Sequence, residues 1–216
     1  MTVLMVVLMF ATIALIELLV MHSRGRAHEL SMQRGAERKK KAIRLRSERY
    51  YHPAHTWMQL ADGEGIVGSD EFVIRALGVP GNVELPPVGM HVSQGDPLWK
   101  IRRGTRTVVQ MSPIEGVVLN ANQALSKNPD LLHDAPYSKG WVAVIKPTAL
   151  KANLKNLLHG AIAEMWMDQA KRLVIQRLSP RLGVTYQDGG DLVDGFGELM
   201  SDEEWEKFSR EFFAAE

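Results

Sequence analysis

His52 and His55 stand three apart in the segment His52-Pro53-Ala54-His55-Thr56-Trp57, a spacing at which two imidazoles could share a metal ion. Pro53 lies between them and no third ligand is near, so the pair reads as structural and no metal site is predicted. The chain has no Cys. That removes thiol nucleophiles, disulfides and Cys-ligated zinc or iron–sulfur centres. No segment has the glycine spacing of a phosphate-binding or dinucleotide loop, or the elbow of a serine hydrolase. Asp188-Gly189-Gly190-Asp191 reads as a turn, because a calcium loop continues for about twelve positions. No catalytic residue is predicted and the chain is read as a non-enzyme. What remains are charged and aromatic residues that could hold a partner: Glu17, then Arg102, Arg103 and Arg106, then Trp205, Phe208 and Phe212.

The elements carrying these residues differ along the chain. It has 216 residues, 45% apolar and 24% charged, a composition that excludes full disorder. The formal charge of +1 hides a polarity: residues 21–50 hold 10 Lys/Arg against 3 Asp/Glu, whereas residues 188–216 hold 2 against 10. Residues 3–21 are almost all apolar. As a helix they would span about 28 Å, near the thickness of a bilayer core. Basic residues follow this run rather than precede it, which favours an anchor over a cleaved signal. The expectation is a transmembrane anchor over 1–21 and a location in the inner (cytoplasmic) membrane. The protein would be single-pass, N-terminus out, with its soluble part in the cytoplasm. Glu17 either snorkels near the boundary or bonds a partner helix. Residues 22–50 read as a basic juxtamembrane linker, drawn to anionic lipid near 24–49 rather than to nucleic acid.

From about Tyr51 short apolar runs alternate with turn signals. Asp62-Gly63 between two such runs predicts a hairpin. Ser69 is placed to cap a short helix that Gly78 stops. Further strands are predicted at 82–85, 97–101, 106–111, 115–119 and 141–145. The order of His52-Pro53-Ala54-His55-Thr56-Trp57, Val67-Gly68-Ser69-Asp70, Ala76-Leu77-Gly78, Glu84-Leu85-Pro86, Ser112-Pro113-Ile114-Glu115-Gly116, Asn128-Pro129-Asp130 and Asp134-Ala135-Pro136-Tyr137 resembles the glycine cleavage system H protein family. The resemblance runs over 51–148. It implies a β-rich, lipoyl-domain-like flattened barrel or sandwich with short helices. It also implies a lipoyl arm, on a lysine at a hairpin tip, that carries an aminomethyl group between partner enzymes.

In the family that lysine lies eight residues before the proline of a Ser-Pro-x-x-Gly segment and follows Glu-Ser-Val. Counting back from Pro113 reaches Thr105, preceded by Arg102, Arg103 and Gly104. A hydroxyl cannot form the amide that joins lipoate to an amine, and the nearest lysine is Lys100. The expectation is therefore no cofactor, with lipoate absent. Arg102, Arg103 and Arg106 form either a solvated turn or a basic patch for an acidic partner.

Residues 149–216 read as a helical C-terminal extension. Apolar residues from Leu150 to Leu178 recur at three and four, predicting one helix of about 28 residues that stops before Ser179-Pro180. Ser201-Asp202-Glu203-Glu204 is a capping box for a last helix. Trp205, Phe208 and Phe212 share a face of it, to pack on the long helix or to enter a partner's groove. The function expected is an accessory or scaffold subunit, bound to other protein subunits of a membrane complex of respiratory or electron-transfer type. The alternative is a lipoyl carrier of glycine cleavage or another lipoate-dependent pathway.

Overall fold

A computed structural model describes Ile43, residues 45–182 and residues 192–214. Strands β1 (Tyr50–His52), β2 (Thr56–Ala61) and β3 (Glu64–Ser69) form a meander. Asp62 and Gly63 both take positive φ, 52° and 82°. That is the two-residue turn whose twist matches the strands it joins, and Asp-Gly tolerates it best. Helix α1 (Glu71–Leu77) follows. Its cap is Asp70, not Ser69 as expected: the Asp70 carboxylate accepts the N–H groups of Phe72 and Val73 at 3.0 and 3.2 Å. Ser69 is still in β3, paired with Thr56, and its hydroxyl accepts the Trp99 indole N–H at 3.2 Å.

Next come β4 (Asn82–Glu84), β5 (His91–Val92), β6 (Pro97–Arg103), β7 (Arg106–Met111) and β8 (Gly116–Ala121). Helices α2 (Ala124–Lys127) and α3 (Leu131–Asp134) lead to β9 (Ala143–Pro147). After α4 (Leu150–Asn153) and a 3-10 turn at Leu154–Asn156 come β10 (Leu158–His159) and α5 (Gly160–Leu182). A 3-10 turn at Phe196–Leu199 precedes α6 (Asp202–Phe213). Seven strands pair antiparallel in the order β10-β1-β2-β3-β9-β8-β5, and three in the order β4-β6-β7. Met58, Val67, Ile101, Val108, Ile114 and Ile145 are fully buried in one core with Phe72 of α1. This is the expected β-rich fold of antiparallel sheets with several helices.

The C-terminal part differs from its expectation in three ways. The 28-residue helix is broken, because Leu157 is extended and Gly160 takes φ 57°. Leu158 and His159 pair with Tyr51 and Tyr50 of β1 instead. The buried stripe of α5 is Ala163, Met167, Ala170, Val174 and Leu178, while Ile162, Met165 and Leu173 are exposed. Finally, α5 runs through Pro180 to Leu182; a proline removes one N–H donor, and near a helix end one lost bond need not end it.

Among the described residues no helix is long and apolar enough to cross a membrane. The apolar run 3–21 with Glu17, and most of the basic linker, lie outside the described residues. The described residues pack as one compact unit, so barrel and C-terminal extension share a core.

Candidate functional site

The hairpin of β6 and β7 pairs Arg103 with Arg106 across a two-residue turn, Gly104-Thr105. Gly104 takes φ 56°. Thr105 stands exposed at the tip, where the counted spacing puts it. Along β6 the side chains alternate. Ile101 is buried, whereas Lys100 and Arg102 share the outer face with Glu84 of β4. Arg102 Nη2 lies 2.6 Å from Glu84 Oε1 and Lys100 Nζ lies 3.7 Å from Oε2. All three are 40–47% exposed, so these pairs add little to stability. Lys100 also borders a groove of about 190 Å³ lined by Leu85, Pro86, Met90, Trp99 and Val109.

The other two arginines face the protein. Arg103 Nη1 donates to the Leu77 carbonyl at 2.8 Å, and its Nη2 meets Glu198 at 2.5 Å. Arg106 Nη2 donates to the Met200 carbonyl at 2.8 Å, and its guanidinium lies 4.9 Å from the Trp205 ring centre. Each flank of the tip is thus held by the C-terminal extension or by the end of α1. A cleft of about 580 Å³ remains beside the tip, between Thr105, Thr107 and the α6 residues Asp202, Glu206 and Ser209.

Trp205, Phe208 and Phe212, the aromatic candidates for a partner, are buried. Phe72 is their anchor: the rings of Phe212 and Phe208 lie 5.6 and 6.3 Å from it, and Phe196 lies 5.8 Å away. The structure therefore turns these aromatics against α1 rather than outward, and of the three arginines it leaves only Arg102 on the open face.

The two histidines do not converge. His52 Nδ1 accepts the Ala54 N–H at 3.1 Å, and burial lowers its pKa to about 4, so the ring is neutral. His55, at φ 61°, lies 2.8 Å from Asp70 Oδ2. It stacks on Phe72 at 4.2 Å and tilts against Trp166 at 4.4 Å. Both members of the pair are buried.

Sequence reading missed Arg49, which it placed in the solvated linker. Its guanidinium lies 4.1 Å from the Trp57 ring centre and donates to the Tyr137 carbonyl at 2.6 Å and to Gln59 at 2.8 Å. Burial lowers its pKa and raises those of the Tyr51 and Tyr137 hydroxyls beside it. The usable signal was position: Arg49 directly precedes Tyr50-Tyr51, where the strand pattern begins.

The family profile described as Glycine cleavage H-protein matches residues 49–170. A probable glycine cleavage system H protein of Thermococcus kodakarensis is 40% identical over 110 residues, covering 50% of this chain and 81% of that relative. One of Pyrococcus horikoshii is 36% identical over 125 residues, covering 57% and 90%. The glycine cleavage system H protein of Geobacillus kaustophilus is 34% identical over 110 residues, covering 50% and 84%.

These findings overturn two expectations. Members of this family carry covalent lipoate, so absence of the cofactor cannot be inferred from Thr105 alone. The amide needs a primary amine, which Thr105 lacks. The inner-membrane location falls as well. The relatives are named as glycine cleavage H proteins, and the described residues contain no spanning helix. The relatives also favour the carrier alternative over an accessory subunit of a membrane complex, and H proteins serve an enzyme system without being its catalysts. With that profile matched over residues 49–170, and a relative 40% identical over 81% of its own length, the chain belongs to the glycine cleavage H-protein family.

Proposed function

We propose that this chain is a carrier protein of glycine cleavage or another lipoate-dependent pathway. It docks to the partner proteins of that pathway and bears its cofactor on Lys100. The observation that carries this reading is the match over residues 49–170, which includes the whole hairpin. Lys100 is the one lysine in that hairpin. Its side chain is 47% exposed and its ammonium only loosely paired, 3.7 Å from Glu84, so an attaching enzyme can reach it. A lipoyl group, when bound, supplies a disulfide on a flexible arm that takes up the transferred group. The chain's own residues do the rest. Buried Ile101 and Val108 fix β6 against β7 and set the direction in which Lys100 points. Glu84 and Arg102 set the charge around the amine: the carboxylate is shared between Lys100 and Arg102, which weakens its hold on either.

The test is the intact mass of the full chain, produced with a lipoate-attaching enzyme and lipoate. The expected result is a gain of one lipoyl group that Lys100→Arg abolishes. No gain on the wild-type chain overturns the carrier reading. A gain that survives Lys100→Arg moves the attachment elsewhere.

A further inference from the structure

Beyond residue 170, where the family match ends, the chain does something to the hairpin that the barrel alone does not. The segment from Leu192 to Phe213 crosses α1 and reaches both flanks of the tip. Gly195 N–H donates to the Arg75 carbonyl at 2.7 Å, and Arg75 Nη1 donates back to the Leu192 carbonyl at 3.1 Å. Gly197 lies so close to α1 that a Cβ there would meet the Ala76 carbonyl oxygen at 2.4 Å. Phe196, Phe208 and Phe213 are at most 1% exposed beneath it. The body of the segment is therefore core, and it cannot lift without exposing several aromatic rings to water. Its contacts to the hairpin are of another kind. At the tip they lie near the surface and include those of two side chains, Arg103 on β6 and Arg106 on β7.

We propose that the C-terminal segment is a positioning clamp for the hairpin tip, with Arg103 and Arg106 as its two latches. Arg103 bridges the α1 terminus at Leu77 and the 3-10 turn at Glu198. Arg106 bridges the Met200 carbonyl and the Trp205 ring, at the start of α6. A hairpin tip held by its own cross-strand bonds alone opens locally at low cost. With both flanks latched, the tip moves as one body with α1 and α6. A docking protein then meets a fixed turn, and meets α6 beside it. The clamp acts from the face of the hairpin opposite Lys100 and Arg102, so it leaves the outer face open. The proposal bears on the hairpin of the carrier reading, but its test needs neither lipoate nor a partner.

Amide hydrogen exchange of the full-length protein is measured on Arg103→Gln, Arg106→Gln and the double variant. The expected result is faster exchange of the β6–β7 amides next to the turn, by roughly tenfold in the double variant. Amides of β2 and β3 should keep their wild-type rates. Uniform acceleration across both sheets, or none in the hairpin, overturns the clamp. Glu198→Gln is the milder control should the double variant fold poorly: it removes only the exposed partner of Arg103. It should accelerate the β6 side of the turn and leave the Arg106 side unchanged, and equal rates on both sides would also overturn the assignment. Failure of the Lys100 mass test leaves these rates unaffected, so the two ideas fail separately.

Discussion

Asp70 accepts from two α1 amides and lies 2.8 Å from His55, all without exposure to water. Removing one member of a buried pair strands the other, so Asp70→Ala should cost about 3–5 kcal/mol in urea denaturation. Asp70→Asn, which can still cap, should cost less. At this scale the sequence was partly readable. The cap was read one residue early, at Ser69; the pairing of Ser69 with Thr56 keeps it in β3 and leaves the cap to Asp70. Arg49 had one cue, its place directly before Tyr50, but an arginine among nine other basic residues does not show that Trp57 and Tyr137 will enclose it. Two histidines set opposite pH responses. His52 is held near pKa 4 by burial, against an ordinary 6.5. Below pH 6.5 the unfolded chain binds a proton that the folded one refuses, so stability falls toward pH 4 by up to about 3 kcal/mol. His133 is the reverse. Although burial opposes it, hydrogen bonds to Asp134 and Asp194 at 3.1 and 2.8 Å leave its pKa raised. Its stabilisation is full below pH 6.5 and is lost as pH rises through its folded value. His52→Gln should flatten the acid limb of a stability–pH curve, and His133→Gln should cost more at pH 6 than at pH 8.

Among the elements, α6 is the most legible and α5 the least. The Ser201–Glu204 capping box forms as written in the sequence, with Ser201 N–H donating to Glu204 and Glu204 N–H to Ser201. Ser201→Ala should therefore cost about 1 kcal/mol, read from the urea midpoint. Gly197→Ala should cost about 1–3 kcal/mol, because its methyl would meet both the Ala76 carbonyl and the Trp205 ring at 2.4 Å. The break before α5 had no such mark. Leu157 and Leu158 suit a helical period as well as an extended one. The extended form wins because β1 offers Tyr50 and Tyr51 as ladder partners, a contact invisible to local pattern. The tip of the β6–β7 hairpin was legible through the count back from Pro113 to Thr105. What holds its flanks was not, since Leu77, Glu198 and Met200 lie far away in the chain.

For the molecule as a whole, the family resemblance stops short of the folding unit. The match ends at residue 170, yet Val174, Leu178, Phe196, Phe208 and Phe213 belong to the same buried cluster as Met58 and Ile145. A chain cut after residue 170 should lose its cooperative unfolding transition and bind a hydrophobic dye, although all of the matched length is retained. A native-like melt from that fragment would show that the extension is an accessory. Composition could place the barrel and the extension in sequence, but not say that they share one interior, because each stretch is apolar enough to suggest a core of its own.

The pairing of β1 with β10 joins Tyr50 to His159, and this has a consequence for birth rather than for function. During synthesis β2 and β3 leave the ribosome with their hairpin partner already made, whereas one edge of β1 waits until the chain beyond the barrel has emerged. The first strand of the large sheet is thus among the last to be covered, and a pause in translation before residue 160 would leave a naked β edge open to neighbouring nascent chains.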